Sequence, residues 1–134
     1  MVQDLSMPIE ILIAPIQRDL DGLALSSRNQ YLDPAQRTIA PALYQTLGSV
    51  AQAIRKKPED FKQILTTAAE NLLQAGFDQV DYLQLCDAKS LQTVSSLHSN
   101  FFSSAQQGAD THQNLVLLVV ARLGSTRLLD NYLL

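Results

Sequence analysis

The chain has 134 residues, of which 46% are hydrophobic and 17% charged, and a formal net charge of −3 at pH 7. That length suits one domain with a real core. The mild acidic balance gives no electrostatic case for nucleic acid or an anionic membrane as the main partner. The single cysteine, Cys86, excludes an internal disulfide and suits a reducing cytoplasm.

Met1–Asp4 lack the basic-then-apolar pattern of a signal peptide. The longest apolar run, Leu115–Ala121, is far short of the roughly 20 residues a membrane span needs. Ile9–Ile13, ended by Pro15, is β-branched and mostly apolar, and reads as a strand that wants cover on both faces. Nothing else in the chain supplies a βαβ unit to hold it. The expectation is a strand that is displaced, poorly ordered or paired with another chain.

Asp21–Asn29 concentrates groups suited to gripping a phosphate. Ser26 and Ser27 offer hydroxyl donors, Arg28 offers two parallel charge-assisted hydrogen bonds, and Asn29 adds an amide. Gly22 lets the backbone turn just before them. Taken alone, the stretch reads more readily as a polar connector with a solvated arginine, since Ser-Ser-Arg is a common tripeptide. Downstream, Asp33, Pro34 and Gln36 spell a helix start, with an N-cap, a proline at the first position and a capping-box partner at the third. The phosphate-gripping stretch is therefore expected in a loop leading into a helix.

From Pro34 the pattern is helical. Pro41 breaks a single long helix, which gives one short turn at 34–39 and a helix over about 41–56. Ile39, Leu43, Leu47, Val50 and Ile54 form its buried stripe, and Arg55–Lys57 close it as a solvated, cationic end. A second helix starts after Pro58 and ends at Gly76, with Phe61, Ile64, Leu65, Ala68, Ala69, Leu72 and Leu73 as its apolar face. Val80–Cys86 reads as a strand, and Cys86 as a small buried apolar residue. The polar stretch Val94–Gln113 reads as a long loop tacked to the core by Phe101 and Phe102. His98 and His112 lack ligand spacing and have no thiol or carboxylate cluster, so no metal site is read there. Leu115–Ala121 is a buried strand, Gly124–Ser125 a turn, and Arg127–Tyr132 a last strand in which Arg127 and Asp130 pair with each other or fix the loop geometry. The fold class is α+β: a small antiparallel sheet of about three strands covered on one face by two helices, preceded by the orphan strand.

Arg18–Leu32 (RDLDGLALSSRNQYL) resembles the signature of the pantoate–β-alanine ligase family, and Ala121–Asn131 (ARLGSTRLLDN) resembles the family's C-terminal hallmark. With the approach through Met1–Pro15, the resemblance runs from Met1 to Leu134 and covers the C-terminal part of such an enzyme. It implies that residues 1–15 end a nucleotide-binding domain absent here, and that 16–134 form a lid domain. It also implies an ATP-dependent condensation of pantoate and β-alanine through a pantoyl adenylate, with magnesium on the phosphates. Leu25, Ser26, Ser27 and Arg28 match the family's ATP-contacting loop, and Gln17 matches a position whose main chain faces the adenine. Gln17 and Ile16 depart mildly from the family's usual residues. The histidine-containing nucleotide motif and the pantoate-binding glutamines have no counterpart in this chain, so no catalytic residue is assigned and the chain alone is expected to be silent. Val94–Gln113 is longer than the usual family connection. Leu133–Leu134, without a polar tail, suggests a cut before a fused cytidylate kinase, as some bacteria have. A homodimer through Ile9–Ile13 is a further expectation, as is a cytoplasmic location. A reading from another class is a non-catalytic assembly module that uses the orphan strand and Phe101–Phe102 as contacts. RNA binding is disfavoured by the acidic balance and the lack of a basic or aromatic stripe.

Overall fold

Asp33 opens the helical region as its sequence dictates. Its side chain accepts from the Gln36 backbone N–H at 2.8 Å, and the Gln36 side chain accepts from the Asp33 N–H at 3.1 Å, a complete capping box with Pro34 at the first position. The structure is a computed structural model that describes residues 2, 5–12, 14–102 and 115–134. Helix α1 spans Pro34–Ile39 and α2 spans Ala42–Lys56. The break falls at Ala40–Pro41, where the proline ring has no N–H to continue the ladder. Helix α3, Phe61–Gln74, follows a short 3-10 turn at Pro58–Asp60. It ends in a Schellman motif: Phe77 N–H donates to Leu72 O and Gly76 N–H to Leu73 O, each at 3.1 Å, with Gly76 at φ +111°.

Three strands follow: β1 at Gln79–Asp87, β2 at Leu115–Leu123 and β3 at Thr126–Leu133. They form one antiparallel sheet in the order β1-β2-β3. The register slips between Val80 and Tyr82, and the carboxylate of Asp81 there meets Arg122 Nε at 3.1 Å and Arg127 Nε at 2.8 Å. One face of β2, through Leu115, Leu117, Val119, Ala121 and Leu123, joins Leu43, Leu47, Val50, Ala51 and Ile54 of α2 and Phe61, Ala68 and Leu72 of α3 in a single core. This is the expected α+β layer of helices on one sheet face.

Some expectations need correction. Leu73, assigned to the apolar face of α3, is 47% exposed, because that face is narrower than the run of apolar residues suggests. Ile9–Leu12 is exposed throughout and not in strand form, since a strand needs a neighbour for its backbone groups and none lies beside it among the described residues; Ile13 falls outside them. Phe101 and Phe102 do pack against the core, and their two rings meet edge to face at 4.9 Å. The rest of that loop, 103–114, and with it His112, lies outside the described residues.

Candidate functional site

The segment from Gln17 to Leu25 folds back on itself as a narrow hairpin. Arg18 bridges Ala24, Asp19 N–H donates to Leu23 O at 2.8 Å, and Leu25 N–H donates to Gln17 O at 2.9 Å. Gly22 makes the turn at φ +95°. Within the hairpin only Leu23 is buried, so apolar contact alone anchors it weakly.

Ion pairs do the rest. Arg18 donates from both guanidinium ends to Asp130 of β3, at 2.6 and 2.9 Å, and also to Gly22 O at 3.1 Å. The same guanidinium lies 3.5 Å from the Tyr44 ring centroid on α2, and Tyr44 in turn neighbours Tyr132 at 5.8 Å. Hydrogen bonding to Asp130 raises the Arg18 pKa above its ordinary value. On the other side, Arg37 of α1 reaches Asp19 at 2.9 Å and Asp21 at 2.5 Å. Its hydrogen bond holds the Asp21 carboxyl below the usual carboxylate range.

Out of this clamped hairpin comes the Leu25–Arg28 loop. A 3-10 helix occupies Ser27–Tyr31, where the sequence had suggested plain loop, and the Ser26 side chain caps it by accepting from Arg28 N–H at 3.2 Å. The far end of the loop is tied back, because Asn29 Nδ2 donates to Ala24 O at 3.0 Å. Leu25, Ser26, Ser27 and Arg28 are exposed, and among the described residues the Arg28 guanidinium makes no ion pair. The loop thus has both ends held, with a cation and two exposed hydroxyl groups between them, Ser26 Oγ accepting from Arg28 N–H.

Beside it lies a cavity of about 250 Å³. Leu23, Leu43 and Leu128 contribute apolar walls; Ser26, Arg28, Asn29 and Asn131 contribute polar ones. Leu25, Ser26 and Arg28 therefore meet at one cavity. Ser27 and Gln17 do not line it, and the Gln17 carbonyl is engaged by Leu25. The expected Arg127–Asp130 alternative resolves differently: Asp130 belongs to Arg18 and Arg127 to Asp81, because alternate residues of β3 point to opposite faces of the sheet. The Arg18–Asp130 pair joins residues 112 apart and has no local sequence signal. Among the described residues no group of three His, Cys, Asp or Glu side chains could hold a metal ion. No helix among them is long and apolar enough to cross a membrane.

Fold and site together define a small α+β domain that presents a tied, cation-bearing loop at the rim of a cavity. The chain matches the family model described as Pantoate-beta-alanine ligase over residues 1–133, and it belongs to that family. It is 44% identical over 133 residues to a pantothenate synthetase of Hydrogenovibrio crunogenus, covering 99% of this chain and 42% of that protein. For a pantothenate synthetase of Ectopseudomonas mendocina the figures are 46%, 99% and 41%. A crystal structure of pantothenate synthetase from Thermus thermophilus superposes with a TM-score of 0.65 at 31% identity, over 98% of this chain and 42% of that one. The crystal structure of a pantoate-beta-alanine ligase from Francisella tularensis, complexed with beta-gamma ATP and beta-alanine, shares the fold with a TM-score of 0.56 at 21% identity, over 98% of this chain and 36% of that one. The chain spans about two fifths of the length of these relatives, matching their C-terminal part.

Proposed function

We propose that this chain is the C-terminal part of a pantoate–β-alanine ligase, and that Leu25–Arg28 is its grip on the ATP phosphates. The observation that carries the reading is the loop itself: both ends are tied, while exposed Ser26 and Arg28 line the cavity and Ser27 beside them is exposed. A carboxylate oxygen of pantoate attacks the α-phosphorus of ATP; the bond to the bridging oxygen breaks, and pyrophosphate leaves with its electron pair. The amine nitrogen of β-alanine then attacks the acyl carbon, AMP departs, and the amine gives up a proton. In the first step two anions meet, so donors and a cation on the phosphate oxygens lower the barrier. Arg28, Ser26 and Ser27 supply them, and the loop closes over the nucleotide and keeps water from the adenylate. Gln17 offers its main chain toward the adenine. Magnesium arrives with ATP as part of the substrate, bound to its phosphates. The binding of pantoate and β-alanine belongs to an N-terminal domain in this reading, and the chain alone is silent. The reading takes the site of action to be the cytoplasm. A fused cytidylate kinase is an extension that rests on the family resemblance alone.

A second reading, an assembly module or homodimer contact, draws on Ile9, Ile11 and Leu12, which are 52, 62 and 83% exposed. Arg28→Ala in the intact ligase separates the two. As a phosphate ligand, Arg28 loses about 3 kcal/mol of transition-state stabilisation on substitution, roughly a hundredfold in rate. Unchanged turnover with altered assembly would favour the module.

A further inference from the structure

We infer that Asp130 is a positioning residue for adenylate formation, acting through Arg18 to orient the Leu25–Arg28 loop. The inference rests on the ligase reading above and deepens it. The loop emerges from a hairpin that buries one side chain, Leu23. Apolar contact is non-directional, so it holds the hairpin near the sheet without setting its rotation. Two parallel hydrogen bonds from one planar guanidinium do set rotation. Arg18 makes those bonds to Asp130 while it also holds Gly22 O and stacks on Tyr44. The guanidinium is held by the carboxylate through two hydrogen bonds and lies over the Tyr44 ring at 3.5 Å.

The connection from this anchor to the reactive groups is short. Arg18 bridges Ala24, Leu25 N–H is held by Gln17 O, and the Ala24 carbonyl receives Asn29 Nδ2. The hydrogen bonds at both ends of the loop thus converge on the strand pair that Arg18 anchors. Asp130 itself is 6% exposed, sits on the wall of the cavity, and engages Arg18 with both carboxylate oxygens. A purely stabilising role would be served by an apolar pair of similar size. The bidentate geometry adds orientation, and near-attack geometry is where orientation enters the rate.

The test uses the intact ligase carrying this chain. Adenylate formation is read by ATP–pyrophosphate exchange with pantoate, amine transfer by breakdown of preformed pantoyl adenylate with β-alanine, and stability by thermal unfolding. Asp130→Asn keeps the shape but weakens the fork. Its exchange kcat is expected to fall about 100-fold, the size of a misplacement of about 1 Å, with KM for β-alanine and the amine-transfer rate unchanged. Arg18→Lys, which keeps the charge and one bond, is the second variant, with an intermediate loss. A lowered unfolding temperature with full exchange kcat in both variants would overturn the inference. Equal losses in exchange and amine transfer would overturn it too, by marking general damage. A wild-type ligase without exchange would overturn the ligase reading first and this inference with it.

Discussion

Two glycine-to-alanine substitutions in this chain are expected to act in opposite directions. Gly22 makes the hairpin turn at φ +95°, and a Cβ there would lie 3.1 Å from Tyr44 Cδ1. A side chain in left-handed backbone costs about 1–2 kcal/mol. Stiffening the unfolded chain returns roughly 0.4–1 kcal/mol of that. The Tyr44 ring must also shift by a few tenths of an ångström, and it stacks on Arg18 at 3.5 Å, so part of a cation–π contact worth about 0.5–2 kcal/mol is lost. The net expectation for Gly22→Ala is a loss of about 1–2 kcal/mol, a fall in Tm of roughly 3–8 °C for a chain this size. Gly48 sits inside α2, where a Cβ would make only an ordinary contact with Tyr132 at 3.9 Å. Gly48→Ala is therefore expected to stabilise by roughly 0.5–1 kcal/mol through helix propensity. Denaturant unfolding of the two variants beside the parent chain measures both. Equal effects of the same sign would refute the reasoning, because the backbone at Gly22 would then not be what distinguishes the sites.

Arg28→Ala, which removes a group without an ion pair among the described residues, is expected to leave the unfolding midpoint within about 0.5 kcal/mol of the parent; a larger change would show that the guanidinium is already engaged in the fold. The Asp21 pKa is lowered in the folded state, by its hydrogen bond from Arg37 first, so its stabilising contribution is present above the unfolded carboxylate pKa and lost as pH falls through the depressed value. Unfolding midpoints of the parent and Asp21→Asn should accordingly differ near neutral pH and converge below about pH 4; a gap that persists in acid would rule out this pair as the cause. Cys86 is 2% exposed, so a thiol reagent should label it only after unfolding. Rapid labelling of the native chain would contradict its buried place in β1. Leu47→Ala, at a fully buried position on α2, should cost about 2.7–5 kcal/mol by cavity formation.

Much of the fold is legible because its code is local. Asp33, Pro34 and Gln36 specify a helix start within four residues, Pro41 specifies the break, and the spacing of Leu43, Leu47, Val50 and Ile54 specifies the face that α2 buries. The last hairpin follows equally from a β-branched run, Gly124–Ser125 and a second run. Ile9–Leu12 reads as a strand by composition, but apolar β-branched residues form one only beside a neighbouring strand, and none is present among the described residues. Within the site, Ser26, Ser27 and Arg28 stand out by residue type, but what holds them does not. Arg18 finds Asp130 across the whole domain, and Arg37 finds Asp19 and Asp21 by the path of the hairpin. Those pairings depend on how the elements pack, and a single sequence carries no mark of them.

In the proposed reading the chain lends ATP-phosphate binding to a larger ligase. The most direct test is AMP release from ATP, magnesium, pantoate and β-alanine, measured for the chain alone, for a separately expressed N-terminal half, and for the two mixed. Release is expected only in the mixture, and it should be lost with Arg28→Ala. Release by the chain alone, or by a mixture indifferent to Arg28→Ala, would contradict it.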